Sequence, residues 1–527
     1  MDHRSRFRLE SLGIFLFALL LFTLGIWDQQ PQGFDGRWAL FLQEMFRHGA
    51  SLFPTTYGQP YADYPGTATV FSVVLARLFG EPNHLANVLP TALASAGVVA
   101  LMYRLLAPSS RQWALLTVLL TLLTTQLLEK SRSVCLDQMV ALLCVGSFYL
   151  LQNGRRFAVF ALYALAFAIR GPLGLIEVCG VACVHSALGA PGQRVKRVLI
   201  HGVVGLLLLA LCWWLLMKLA RISGGDAFAS EVFKMQVGGR LDEIGEPFYF
   251  YFQLGLYRYF PVVPLALATM VALRHRWSER FAGDMQLVVR LGACGLMILL
   301  GLSVPHFKRA YYILPMVPMF AAVAAYGLLQ AQRWLAGVRR CYEGLVAALP
   351  ALCVVVVFVC RQAWQKHGYW PDVSLPLLIG VLVMLQAAAW IAWRRMARLV
   401  WLSLIAVLAQ WVLLVVMIEP AKDLQFDTRT FVGQVEALRA QTPGPLVFVN
   451  LGRDTWAVRY MMNLSRDEQP LFVSGDQIGQ LNALPRPSWV IVSRKEAALL
   501  QGTPLESAAP SFEGRLNDNP LRVFLLR

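Results

Sequence analysis

The sequence predicts an α-helical polytopic membrane protein with a small soluble α/β unit at its C-terminal end. Three observations carry this. The chain has 527 residues, of which 57% are hydrophobic and only 15% charged, and its mean hydropathy is +0.54. Its apolar runs repeatedly reach the length that crosses a hydrocarbon core. Short basic clusters separate alternate apolar runs, and from about Ala421 the composition turns soluble. The net charge of +16 is therefore largely a matter of topology, and nucleic acid is excluded as a partner. The nine cysteines lie in or beside apolar segments with no CxxC, which makes them small buried hydrophobes and argues against a disulfide framework or a zinc site.

Arg4, Arg6 and Arg8 hold the N-terminus in the cytoplasm, and Leu12 to Ile26 reads as a retained signal anchor, since no small-residue cleavage site follows. The first outer loop, 28–80, then faces the other side. Spans follow at about 84–104 and 112–129, from Asp137 to Arg155, to Arg170, and towards Arg194, Lys196 and Arg197. The seventh exits to a second outer loop, 220–247, and the eighth returns to RHRWSER. The ninth and tenth flank VPHFKRAYYILP on the outside, and the tenth ends at Arg333, Arg339 and Arg340. Spans near 344–361, 375–393 and 398–418 make about thirteen, each predicted cytoplasmic turn carrying at least two basic residues. This divides the chain into a transmembrane part, 1–420, and an outer α/β part, 421–527. In the latter, TFVGQVEALRA and DTWAVRYMMN read as helices, and PLVFVN, PLFVS, SWVIVS and LRVFLL as strands. That part has no phosphate loop or metal cluster, so support or partner recognition is its expected role.

The candidate chemistry sits at outer edges. After Asp35, apolar residues Trp38, Phe41, Leu42, Met45 and Phe46 alternate at helical spacing with Arg37, Glu44, Arg47 and His48, which predicts an amphipathic helix in the interface plane. Asp35 at its start is compatible with a helix N-cap and with a general base. Asp63 lies in the aromatic turn QPYADYPG, where an Asp before a proline is ordinarily a turn residue. Arg132 and Asp137 open the fourth span, where Asp137 reads as an N-cap or, with Arg132, as the border of a charged site. Lys308 and Arg309 form a basic pair on the outer side; they read either as snorkelling side chains or as the grip on an anionic headgroup. His48, His185, His201 and His306 lack metal-ligand spacing, and Glu177 and Lys218 read as buried or helix-end groups with local partners.

Together these residues resemble the GT-C membrane glycosyltransferases, in the branch of bacterial aminoarabinose transferases and protein O-mannosyltransferases. The resemblance spans roughly residues 10 to 330. It rests on Asp35 and Arg37 in FDGRW, the turn Ala62-Asp63-Tyr64-Pro65, Arg132 and Asp137 at the fourth span, Arg170-Gly171-Pro172, and the segment with Lys308, Tyr311, Tyr312, Leu314, Pro315 and Pro318. The chain departs from the pattern at Gly36, where a second acid is usual, and at Tyr64, where aminoarabinose transferases carry a phosphate-binding lysine.

The resemblance implies a GT-C-like fold and an enzyme of the bacterial inner membrane. It would move a hexosyl or pentosyl group from a polyprenyl-phosphate donor to an envelope lipid, glycan or protein on the outer face, with inversion. Asp35, Asp137 and Asp63 are then the catalytic candidates, and Arg37, Arg132, Arg170, Lys308, Arg309, Tyr311 and Tyr312 the substrate and phosphate contacts. No cofactor is required, a divalent metal has no support in the spacing, and the expected form is a monomer among membrane lipids. A transporter or flippase for an anionic lipid, or a non-catalytic scaffold, is the competing reading. A transporter needs ionisable residues along a path through the spans, and here they concentrate at the outer edge.

Overall fold

The computed structural model describes residues 3–63, 65–189, 191–238, 245–274, 279, 283–330 and 333–527. Tyr64 and most of RHRWSER lie outside the described residues. Among the described residues six helices are long and apolar enough to cross a membrane, or eight if each of two bent pairs is one span; five further apolar helices have 10–17 residues.

A helix stands at each expected apolar run. His3–Thr23 packs along His84–Leu106, which in turn packs on Leu136–Gln152. Ala158–Arg170, Pro172–Ala187 and Arg194–Phe233 follow in sequence and in space. Val262–Leu273, Gly283–Ser303 and Val317–Leu329 complete the group that holds the largest core. Arg333–His367, Leu375–Trp393 and Arg398–Leu413 pack on one another beside it.

Two bends shape the end of the bundle that meets the C-terminal unit. Along Arg111–Leu123 the hydroxyls of Thr117 and Thr121 and that of Thr124 just beyond donate to their own helix's carbonyls at 2.8–3.1 Å. Such back-bonding satisfies hydroxyls inside the membrane and loosens the ladder. At Thr124 the backbone turns extended, and Thr125–Ser131 departs at 75°. Helix Phe250–Tyr257 meets Val262–Leu273 at 104°. The polar stretch expected as an outer loop over 220–247 differs from that expectation: it is helical through Gly238, broken only at Gly224 and Gly225.

The first outer loop is also more structured than expected. Beyond the helix Asp35–His48 it holds a hairpin of β1 (Thr55–Thr56) and β2 (Gln59–Pro60), then a helix Thr67–Phe79. Buried Glu44 accepts the backbone N–H groups of Tyr57 and Gly58 and so holds the hairpin turn.

The C-terminal sheet has five strands, β3 (Leu446–Val449), β4 (Leu471–Val473), β5 (Ser488–Ser493), β6 (Phe512–Leu516) and β7 (Asn519–Leu526), in the order β4-β3-β5-β7-β6. β3 is parallel to β4 and β5, while β7 is antiparallel to β5 and β6. One face packs Phe448, Ile491 and Val523 with Val432 and Val435 of helix Arg429–Gln441; the other packs Val447, Val490 and Phe524 on Leu481 and Leu505. Burial on both faces explains why LVFV and WVIV are continuously apolar.

This sheet corrects the expectation for helix Asp35–His48. Its polar face meets protein: Gln43 donates to the Met462 carbonyl at 2.6 Å, Arg47 to Leu464 and Ser465 at 2.8 and 3.0 Å, and His48 pairs with Asp467 at 3.0 Å. Leu40 enters the sheet's core. The helix is thus held between the bundle and the C-terminal unit. At Gly36 a Cβ would stand 2.9 Å from the Met462 sulfur, so the missing acid is a contact the two units need.

Candidate active site

Between one end of the helix bundle and the C-terminal unit lies a cavity of about 880 Å³. Asp35, Asp63, Asp137, Arg37, Arg132, Arg170, Arg309, Tyr311 and Tyr312 all line it. Lys308 does not; its ammonium is buried and donates to the Glu246 carbonyl at 2.8 Å.

Asp35 is the first residue of its helix and does not cap it. Its carboxylate accepts the Val134 backbone N–H at 3.2 Å, across from the start of the fourth span. The group is 7% exposed, and burial raises its carboxyl from 3.8 to about 7, against the opposing pull of the Lys130 ammonium and the Val134 amide. At neutral pH such a carboxyl is divided between acid and base. The acidic position at the helix start is also favourable to the helix dipole.

Asp137 likewise is no cap, since Cys135 holds that position. Its Oδ1 accepts Arg170 Nε at 3.2 Å, both side chains being buried, and the Arg170 guanidinium lies 4.8 Å from the Tyr312 ring. Arg170 reaches this place because its helix ends there: Gly171 at φ 66 and Pro172 turn the chain sharply, and a Cβ at Gly171 would strike the Gln236 side-chain oxygen at 2.7 Å. Glu177, in the helix that follows, is 3% exposed, and neither of its carboxylate oxygens has a hydrogen-bond partner among the described residues, contrary to the expected local partner. Lys218 does have one, its ammonium lying 4.5 Å from the Trp214 ring.

Arg132 and Asp137, read together from sequence, go separate ways. Arg132 makes a bidentate pair with Glu419 at 2.7 Å on both arms and donates to the Leu21 and Leu24 carbonyls at 2.8 and 2.9 Å. Its donors are thereby committed to joining the first helix, the bent segment that ends at Ser131, and the helix that follows the last span. Gln29, Gln30 and Gln32 add ties to Glu419, Asp427 and Asp423 at 2.6–2.8 Å.

Three cations line the cavity without a hydrogen-bond or ion-pair partner among the described residues, Lys130, Lys234 and Arg309. Lys130, carried there by the bend at Thr124, lies 5.5 Å from the Tyr311 ring. Arg309 lies 5.5 Å from the Phe34 ring and 5.0 Å from that of Phe307. The backbone bearing Arg309 is pinned from the helix at the 104° bend: Tyr251 donates to the Arg309 carbonyl at 3.2 Å and Tyr259 to that of Ala310. Sequence reasoning missed Lys130, which stands beside Glu129 and two residues before Arg132, so that nothing local sets it apart from its charged neighbours.

The C-terminal unit supplies the rest of the lining. The short helical turn after β3, continuous from Arg453–Ala457 into Val458–Met461, brings Asp454, Thr455, Trp456 and Arg459, and the β6–β7 hairpin brings Asn517 and Asp518. Arg37 ties this turn to the Asp35 helix, donating to the Asp454 carbonyl at 3.3 Å with its guanidinium 4.9 Å from the Tyr61 ring. Among the described residues no group of three or more His, Cys, Asp or Glu is placed to hold a metal ion; His185 and His201 bond to Gln152 and Tyr163 at 3.1 and 3.0 Å.

The sequence matches no family model and no curated protein. The structure is similar over nearly its whole length to ArnT from Cupriavidus metallidurans. In the apo state the TM-score is 0.74 at 14% identity, covering 98% of both chains; bound to undecaprenyl phosphate it is 0.72 at 16% identity, covering 97% of both. A more distant likeness is to the Archaeoglobus fulgidus oligosaccharyltransferase, with a TM-score of 0.51 at 10% identity over 92% of this chain and 70% of that one. The fold is that of ArnT, a GT-C fold, and the likeness extends past residue 330 through the C-terminal sheet.

Proposed function

We propose that this ArnT-like chain is a membrane glycosyltransferase that moves a sugar from a polyprenyl-phosphate donor to an envelope acceptor, with inversion. One observation carries the reading: nine of ten residues chosen from five separate motifs line one cavity. The undecaprenyl phosphate bound in the ArnT structure supports the donor class.

The residues suit the chemistry. The acceptor hydroxyl oxygen attacks the anomeric carbon, its proton passes to Asp35, and the bond from that carbon to the phosphate oxygen breaks, its electron pair leaving with polyprenyl phosphate. The leaving phosphate gains negative charge as the bond breaks, and cations in a dry site stabilise that charge most. Lys130, Lys234 and Arg309 are the cations with donors to spare, and Arg170 stands behind them on Asp137. Arg132 serves as a structural tie. A base with its pKa near neutral, as at Asp35, is matched to its task. No cofactor enters the scheme.

The topology that goes with this reading has thirteen spans, a cytoplasmic N-terminus, and the cavity and C-terminal unit on the periplasmic side of a bacterial inner membrane. It is supported by ion pairs that collect basic residues at the far ends of the helices: Arg6 and Arg111 both bond Glu10, at 3.1 and 2.6 Å, and Arg339 and Arg398 both bond Glu343, at 2.9 and 3.0 Å.

The test has two parts. Purified protein in lipid nanodiscs should bind undecaprenyl phosphate, and cells lacking the protein should lose one sugar from an envelope lipid or glycan by mass analysis. Re-expression of the native chain should restore that sugar and Asp35→Asn should not. Absence of lipid binding, or full restoration by Asp35→Asn, overturns the proposal.

A further inference from the structure

The cavity has two walls that differ in charge. The bundle's wall sets Lys130, Arg170, Lys234 and Arg309 among the carboxylates of Asp35, Asp137 and Glu129, whereas the C-terminal unit brings two carboxylates, Asp454 and Asp518, beside the guanidinium of Arg459, its other lining cation, Lys422, being paired with Glu129. This second wall is assembled from two loops distant in sequence. Two aromatics of that unit, Phe426 and Trp456, are half-buried and border the cavity, whereas Phe431, Phe448 and Tyr460 are core residues; Trp456 is the one that stands beside Asp454 and Arg459. Arg459 lies 4.5 Å from its ring and 4.0 Å from Asp518. Asn517 turns the β6–β7 hairpin at φ 60, and its Oδ1 is buried without a hydrogen-bond partner among the described residues. An orphaned buried acceptor calls for a donor.

Both loops are held in place. The Asn517 N–H donates to the Asp427 carbonyl at 2.8 Å, and Tyr57 donates to the Arg453 carbonyl at 2.7 Å. With the Arg37 contact to Asp454, these bonds fix the wall relative to the helix that begins at Asp35.

We infer that the C-terminal wall is the acceptor subsite and that it takes an uncharged sugar ring, stacked at Trp456 and bonded through its hydroxyls to Asp518, Asn517 and Asp454. The inference rests on the glycosyltransferase reading. A sugar presents C–H groups on one face and hydroxyls around its rim, which matches an indole bordered by carboxylate, amide and guanidinium groups. A phosphate acceptor is disfavoured, since two carboxylates to one guanidinium repel it. A neutral hydroxyl nucleophile must lose a proton, and the base it needs is Asp35 across the cavity.

Saturation-transfer NMR on the full chain in maltoside-free nanodiscs tests this, with neutral methyl hexosides and glucosamine 1-phosphate as separate probes and undecaprenyl phosphate binding measured in parallel. The expected result is transfer to at least one methyl hexoside, weakened about tenfold by Trp456→Ala and by Asp518→Ala, largely kept by Trp456→Phe, with undecaprenyl phosphate binding unchanged in each. Hexoside binding that is absent, or equal in Trp456→Ala, overturns the inference, as does preference for glucosamine 1-phosphate. Failure of the native chain to bind undecaprenyl phosphate is a different outcome: it removes the donor reading on which the inference stands.

Discussion

Replacing Asp35 by Asn separates chemistry from stability. The amide keeps the shape of the carboxylate and keeps an oxygen for the Val134 N–H at 3.2 Å. It loses the ability to take a proton. Loss of a general base costs about 10²–10⁴ in turnover, so kcat should fall by that amount while the apparent affinity for the lipid donor holds. Stability should move the other way. The carboxyl titrates at about 7 in the folded chain and at 3.8 ordinarily, so the folded state holds its proton more tightly. Its contribution is fully present below pH 3.8, declines as pH rises, and is gone above about 7, a difference of about 4 kcal/mol at most. Asn carries no such penalty. Thermal unfolding at pH 8 should therefore place Asp35→Asn above the native protein, with the gap closing towards pH 4, while the native pH–rate profile should rise through an apparent pKa near 7. A variant with normal turnover, or one less stable than the native chain at pH 8, would refute the assignment of a buried base.

Three further outcomes follow from the geometry. Arg132→Ala should lower the unfolding temperature strongly, by the equivalent of about 3–5 kcal/mol for an orphaned buried partner, because Glu419 and two carbonyls lose their donor; undecaprenyl phosphate binding by the molecules that remain folded should persist. Binding lost with the unfolding temperature unchanged would make Arg132 a ligand instead. Arg309→Ala, removing a cation that has no ion-pair partner among the described residues, should weaken undecaprenyl phosphate binding by about tenfold or more with little change in unfolding temperature. Gly36→Ala should destabilise by about 1–3 kcal/mol through the Met462 contact, and the double variant with Met462→Ala should show a smaller penalty than the two single ones summed; strict additivity in thermal unfolding would remove that contact from the account.

Much of the fold is legible in the sequence, because the signals are local. Apolar runs of spanning length, basic clusters at alternate ends and the compositional turn near Ala421 each depend on neighbours in the chain. The same holds for helix Asp35–His48 and for strands β3 and β5, whose periodicity or continuous apolarity is visible without partners. Asp35, Asp137, Arg170 and Arg309 were recognisable as residue types at outer boundaries, where charge is costly and calls for a reason. What each of them touches is not local. The pairing of Arg132 with Glu419 joins residues 287 positions apart, and nothing in SRSVCLD distinguishes it from the Asp137 pair with Arg170. Lys308 and Arg309 are adjacent in sequence, yet only a backbone held by Tyr251 and Tyr259 decides that one points to the cavity and the other to a carbonyl. The polar face of helix Asp35–His48 looked like a solvated surface because an amphipathic pattern records that a face is polar, without recording what satisfies it. Tertiary structure supplied the C-terminal unit as that partner, and with it the second wall of the cavity. The sequence by itself determined where charge meets the membrane edge; the packing of distant segments decided which charges are ties, which remain open to a ligand, and which surface faces Asp35.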